Sequence, residues 1–98
     1  MKINISSVHF DADTKLLEFI ESKVSKLTVF ADDIVSSEVH LKLDNATNAE
    51  NKVCNIKLEI KGNDLFAEKQ SKSFEEAVDE VVEALKKQLT KRKDKLKK

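Results

Sequence analysis

The sequence predicts a two-layer α+β domain in which a four-stranded sheet carries two helices on one face, and three observations lead there. Four short segments alternate apolar and polar residues with the period of a half-buried strand, and two longer ones carry apolar stripes at helical spacing. The 98 residues, 40% of them apolar, suit one modest core and leave no room for a second domain, so residues 1–98 are read as a single unit. The order along the chain is β-α-β-β-β-α. Elements that are apolar on one face only bury those faces against each other, which resolves this order into a sheet layer and a helix layer.

The first strand runs from Lys2 to Val8, with Ile3 and Ile5 on one side and Asn4 and Ser6 on the other. Asp13 is placed to cap the first helix, whose apolar positions Leu16, Leu17, Ile20, Val24 and Leu27 share a stripe. From Val35 to Leu43 alternation returns, with Val39, Leu41 and Leu43 opposite Glu38, His40 and Lys42. It recurs from Val53 to Lys61, where Cys54, Ile56, Leu58 and Ile60 face away from Asn55, Lys57 and Glu59. The polar stretch Asp44 to Lys52 between them reads as a long hairpin loop. Gly62-Asn63-Asp64 is a turn signal leading into a fourth strand from Leu65 to Gln70, and three antiparallel connections in succession are expected. Ser73-Phe74-Glu75-Glu76 fits the S-x-x-E capping box. It opens a second helix striped by Phe74, Ala77, Val78, Val81, Leu85 and Leu89, with no Pro or Gly to stop it before the C-terminus. The sheet face bearing Lys2, Asn4, His40, Lys42, Lys57 and Glu59 is left to solvent.

Catalytic chemistry finds little to work with. No His-x-x-x-His, Cys-x-x-Cys, G-x-S-x-G or glycine-rich phosphate loop is present, and Gly62 is the one glycine. The two histidines, His9 and His40, are far apart, and His40 alternates with charged residues as a solvent-facing strand residue does. Cys54 is the one cysteine, which excludes an internal disulfide or a multi-cysteine zinc site, and its place in an apolar alternation makes it a core thiol. Glu75, Glu76, Asp79, Glu80 and Glu83 fall mostly on the outer face of the second helix as a solvated surface, without convergent partners for metal or acid-base work. No enzyme, metal, cofactor or small-molecule substrate is expected. No segment approaches the ~20 apolar residues of a membrane span and no leader precedes the first strand, so a cytoplasmic protein without a membrane partner is expected.

Charge is the informative property. Lys and Arg total 18 and Asp and Glu total 18, yet residues 1–84 hold 10 Lys against 17 acids, and residues 85–98 hold eight basic residues against Asp94 alone. An acidic body thus carries a basic end, an asymmetry that points to a polyanionic partner. On the first helix Lys15, Phe19, Lys23 and Lys26 share a flank away from Glu18 and Glu21. On the second, Lys87, Lys91, Lys95 and Lys98 form one track and Lys86, Lys93 and Lys97 another. Arg92 falls on the line of the apolar stripe, where a buried guanidinium would be costly, so this helix is expected to project beyond the sheet from about residue 90. A projecting basic helix beside a basic neighbour makes a groove for phosphates. Ammonium and guanidinium groups there would contact backbone phosphate and release counterions, a contribution that follows shape more than sequence. With five Phe and no Trp or Tyr, base stacking on the sheet is weakly supported, and folded RNA is the better target.

The segment Leu85-Lys86-Lys87-Gln88-Leu89-Thr90-Lys91-Arg92-Lys93-Asp94-Lys95-Leu96-Lys97 resembles the C-terminal helix of the short ribosome hibernation-promoting factors, whose pattern is close to L-x-R/K-Q-L-x-K-x-K-x-K. Ala77-Val78-Asp79 is similar to the family's A-I-D signature, and Leu17 to Leu27 resembles its first helix, in which two lysines precede a leucine. Gly62 and Ala67 suit its turn and following strand. The resemblance covers nearly the whole chain. It implies a fold similar to double-stranded RNA-binding domains, seated in the small-subunit channel between head and body, overlapping the sites of messenger RNA and of A- and P-position transfer RNA. It further implies inhibition of translation during starvation or stationary phase. Carried over by position, Lys23, Lys26, Lys87, Lys91, Lys93 and Lys95 are the expected contacts to 16S-type ribosomal RNA, with Lys86 and Arg92 at positions that vary among relatives. Glu75 stands where many relatives have an aromatic, with Phe74 beside it. The chain ends after the second helix, without the tail or additional domain of longer relatives, so ribosome dimerisation is expected to need another protein such as a ribosome modulation factor. Two other classes stay open on the residues alone: a module for structured RNA away from the ribosome, and a basic helix docking on an acidic protein.

Overall fold

The computed structural model describes residues 2–8, 11–44 and 51–96, with side chains through Lys91. The expectations for His9, for most of the Asp44 to Lys52 loop, and for the side chains of Arg92, Lys93, Lys95, Lys97 and Lys98 lie outside the described residues. The elements are β1 (Lys2–Val8), α1 (Thr14–Ser25), a 3-10 turn (Lys26–Val29), β2 (Ile34–Leu43), β3 (Lys52–Ile60), β4 (Leu65–Ser71) and α2 (Phe74–Leu96). They form the expected α+β domain, with a sheet of strand order β1-β2-β3-β4.

One expectation about topology is corrected. The connections are not all antiparallel: β1 pairs with β2 in parallel, through Ile3 opposite Ser37 and Ile5 opposite Val39, while β2-β3 and β3-β4 are antiparallel. The helical crossover causes this, because α1 carries the chain back to the end where β1 began and β2 must then run the same way. α1 also stops earlier than the stripe to Leu27 suggested. Its last turn tightens into the 3-10 segment, where the Thr28 hydroxyl donates to the Ser25 carbonyl at 2.7 Å.

Local chemistry fixes the element ends. The Asp13 carboxylate accepts from the Leu16 N–H at 2.8 Å, and the Ser73 hydroxyl accepts from the Glu76 N–H at 3.2 Å, so each helix begins with a side-chain cap. Gly62 adopts φ +89° in the tight turn closed by the Asn63 N–H on the Ile60 carbonyl at 2.9 Å, a conformation that glycine takes without a Cβ penalty.

The core lies between the layers. Ile20, Val24 and Leu27 from the α1 side and Ala77, Val78, Val81, Leu85 and Leu89 from α2 pack on Val39, Leu41, Cys54, Ile56 and Leu58 of the sheet. The opposite sheet face exposes Val8 and Phe66 but is otherwise mostly polar, and it is cross-linked between directly opposed residues. Ser6 and His40 hydrogen-bond at 2.8 Å, Ser36 donates to Glu59 at 2.8 Å, and Asn55 donates to Glu68 at 3.5 Å.

Candidate RNA interface

The crossover that makes β1 and β2 parallel also makes α1 and α2 parallel. Phe19 lies beside Phe74 and Glu75, Lys23 beside Asp79, and Phe30 beside Lys86, so the two helices advance together. The C-terminal end of α1, where unsatisfied carbonyls make the negative pole of its dipole, therefore lies beside the middle of α2, which runs on to Leu96. Lysines gather there. Lys26 is the C-cap of α1, Lys23 is in its last turn, and Lys86 approaches from α2.

These three lysines line a cleft of about 380 Å³ between the 3-10 turn and α2, with Leu27, Phe30 and Val82 as its apolar part. Asp79 and Glu83 line it too. The Lys23 ammonium is 3.1 Å from the Asp79 carboxylate and 5.6 Å from the centroid of the Phe19 ring. Lys86 is 3.9 Å from Glu83, one turn earlier on its own helix, and 5.4 Å from the centroid of the Phe30 ring. Lys26 is exposed and makes no ion pair with the described residues.

The other basic positions are placed differently. Gln88 faces β4, donating to the Phe66 carbonyl at 3.2 Å, and Leu85 and Leu89 face the sheet. At 100° per residue, Lys86 then lies on the flank toward the 3-10 turn while Lys87 and Lys91 lie on the crest of α2 away from the sheet. Both are exposed. Leu89 is the last residue of α2 described as buried, Thr90 and Lys91 are exposed, and the helix continues to Leu96. Arg92, Lys93 and Lys95 extend that same basic segment. Lys15 keeps to the expected flank beside Phe19 but lies at its N-terminal end, away from the cleft and among Asp11, Asp13 and Glu75.

The residues that sequence reasoning missed are the carboxylates. Asp79, Glu80 and Glu83 are exposed as expected, yet each has a partner, Glu80 accepting from the Ser71 hydroxyl at 2.5 Å. The Glu83 to Lys86 spacing of three was a legible signal for a helix pair. The Lys23 to Asp79 pair needed the helix packing. Cys54 is fully buried and its thiol is pushed up to about 12, first by burial and then by the negative charge of Glu68, so it stays protonated and inert. Among the described residues no three His, Cys, Asp or Glu side chains gather as metal ligands, and no helix is long and apolar enough to cross a membrane.

A family model described as sigma 54 modulation protein / S30EA ribosomal protein matches residues 3–97. Proteins named ribosome hibernation promoting factor are similar along their whole length. That of Escherichia coli strain K12 is 31% identical over 97 residues, 99% of this chain and 98% of its own, and that of Klebsiella oxytoca is 30% identical over the same span. A ribosomal subunit interface protein from Coxiella burnetii superposes with a TM-score of 0.85 at 22% identity, covering 96% of this chain and 99% of its own. The N-terminal domain of Thermus thermophilus Protein Y superposes with a TM-score of 0.80 at 18% identity, covering 93% and 98%. These two likenesses concern the fold.

Proposed function

This chain belongs to the S30EA ribosomal protein family, among the short ribosome hibernation promoting factors, and on that premise we propose that it binds the small ribosomal subunit and holds it out of translation. It acts in the cytoplasm as a binding protein and not as an enzyme. Its seat is the channel for messenger RNA and transfer RNA, and its contacts to 16S-type ribosomal RNA are Lys23, Lys26, Lys86, Lys87, Lys91, Arg92, Lys93 and Lys95. The observation that carries this reading is the basic cleft at the C-terminal end of α1, where Lys23, Lys26 and Lys86 adjoin the crest of Lys87 and Lys91 on α2.

The physical basis is modest and sufficient. Lys23 and Lys26 beside the negative pole of α1 are held favourably in the free protein, and each lysine that meets a phosphate releases condensed counterions. Phosphates fixed in folded RNA present several such partners at once, so a rigid helix pair can bind by shape. The polar cross-strand pairs on the outer sheet face argue for a solvated surface there. A ribosome modulation factor is the partner we propose for any pairing of ribosomes.

The test is inhibition of peptide synthesis in a reconstituted translation system, together with sedimentation of a lysate through sucrose. Synthesis should fall as the protein is added, and the protein should co-migrate with small subunits or ribosomes. Undiminished synthesis at saturating protein with no co-migration would remove this reading in favour of a module for other structured RNA.

A further inference from the structure

The proposed RNA cleft is already occupied by charge. Three ammonium groups, of Lys23, Lys26 and Lys86, share it with the carboxylates of Asp79 and Glu83. Two of the three are engaged, Lys23 at 3.1 Å and Lys86 at the looser 3.9 Å. The engaged pairs are not buried: the side chains of Lys23 and Asp79 are 34% and 58% exposed. Burial therefore does not demand the pairing, and an exposed ion pair adds little to stability.

We propose that Asp79 and Glu83 are specificity-determining counter-charges, which occupy the lysine cleft in the free protein and must be out-competed by phosphate. The proposal rests on the RNA-binding reading of the same cleft and adds what the cleft selects. A phosphate arriving alone at Lys23 exchanges one anionic partner for another and acquires Asp79 as a like-charged neighbour, so its net gain is small. A flexible single strand, which offers phosphates one at a time, thus binds weakly. Folded RNA that fixes several phosphates within reach of Lys23, Lys26, Lys86 and the Lys87–Lys91 crest engages them together, and the added contacts offset the repulsion. Asp79 also closes the Ala77-Val78-Asp79 segment, where the same turn of helix supplies two buried core residues and one cleft anion. The counter-charges convert a generally polyanion-binding surface into one selective for converging phosphates.

The test compares Asp79→Asn, Glu83→Gln and the charge-conserving Asp79→Glu on two probes, a labelled oligouridine and vacant small subunits, over a salt series. Asp79→Asn should bind oligouridine roughly two- to fivefold more tightly, the reach of one exposed ion pair. Its slope of log affinity against log salt should steepen by about 0.7, one further single-strand phosphate contact. Glu83→Gln should do the same more weakly, and Asp79→Glu should restore the wild-type value. Affinity for small subunits should change less, so that discrimination between the probes falls. Unchanged oligouridine affinity and slope in both neutralised variants would overturn the proposal. So would weakened binding of both probes by Asp79→Asn, since Asp79 would then be holding Lys23 in place for contact. Glu83→Gln decides the matter if Asp79→Asn does not fold. A wild-type protein that ignores small subunits would refute the ribosomal reading, while the oligouridine arm still judges the counter-charges.

Discussion

Replacing Lys26, Lys87 and Lys91 together by Ala isolates the electrostatic part of binding from the fold. All three side chains are exposed and none makes an ion pair with the described residues, so their removal strands no buried carboxylate. Exposed substitutions typically cost within about 0.5 kcal/mol each, and Lys26 adds a favourable dipole interaction of roughly 0.3 to 1 kcal/mol at the end of α1. The triple variant should therefore lose no more than about 2.5 kcal/mol, read by thermal or urea unfolding. Its binding should change far more visibly. Each phosphate contact contributes roughly 0.7 to 0.9 to the slope of log affinity against log salt, so three lost contacts flatten it by roughly two to three units. The assay is co-sedimentation with vacant small subunits between about 50 and 200 mM salt, the range in which such slopes are steep. A folded triple variant with native affinity and native slope would refute the basic-end assignment. The sheet face bearing Lys42 and Lys57 would then be the next surface to test.

Two further predictions concern the core. Ser37 is fully buried and its hydroxyl has no hydrogen-bond partner among the described residues, so Ser37→Ala removes a desolvated polar group. Stability should rise by about 1 kcal/mol, or about 4–8 °C in Tm for a domain of this size, and a loss of comparable size would show that the hydroxyl is satisfied. Cys54 keeps in the folded state a proton that the unfolded chain releases near the ordinary 9.0, because burial and then Glu68 push the thiol up to about 12. Its contribution to stability is thus complete below pH 9.0 and lost as pH rises toward about 12, and native thiol alkylation near neutral pH should be slow beside that of denatured protein. Cys54→Ala should abolish this pH dependence, cost about 1 kcal/mol or somewhat more, and leave ribosome binding intact. Rapid alkylation of folded protein would contradict the burial.

The elements were legible because their signals are local. Alternation placed β1 to β4 within a residue or so of their bounds, and Asp13 and Ser73 announced both helix starts through hydrogen bonds that span only three residues. The parallel β1-β2 pairing was missed because periodicity carries no direction; the helical crossover sets it. The basic positions could be read as charge patterning, but not their division into a cleft and a crest. That division depends on the packing of α1 beside α2, which brings Lys23 to Asp79 across 56 positions of sequence and leaves Lys15 at the acidic end. The same packing turned Asp79, which read as part of a solvated face, into a partner of Lys23. Arg92 on the apolar line carried an expectation of another kind, that α2 projects beyond the sheet from about residue 90, and its side chain lies outside the described residues.

A protein seated in the channel as proposed competes with messenger RNA and transfer RNA for one site on the small subunit. The most direct measurement is binding to purified small subunits, either vacant or preloaded with messenger RNA and a P-position transfer RNA, at one salt concentration. Vacant subunits should bind the protein at saturable stoichiometry, and preloaded subunits should exclude it until their RNAs dissociate. Equal binding to both, with messenger and transfer RNA still in place, would contradict the account.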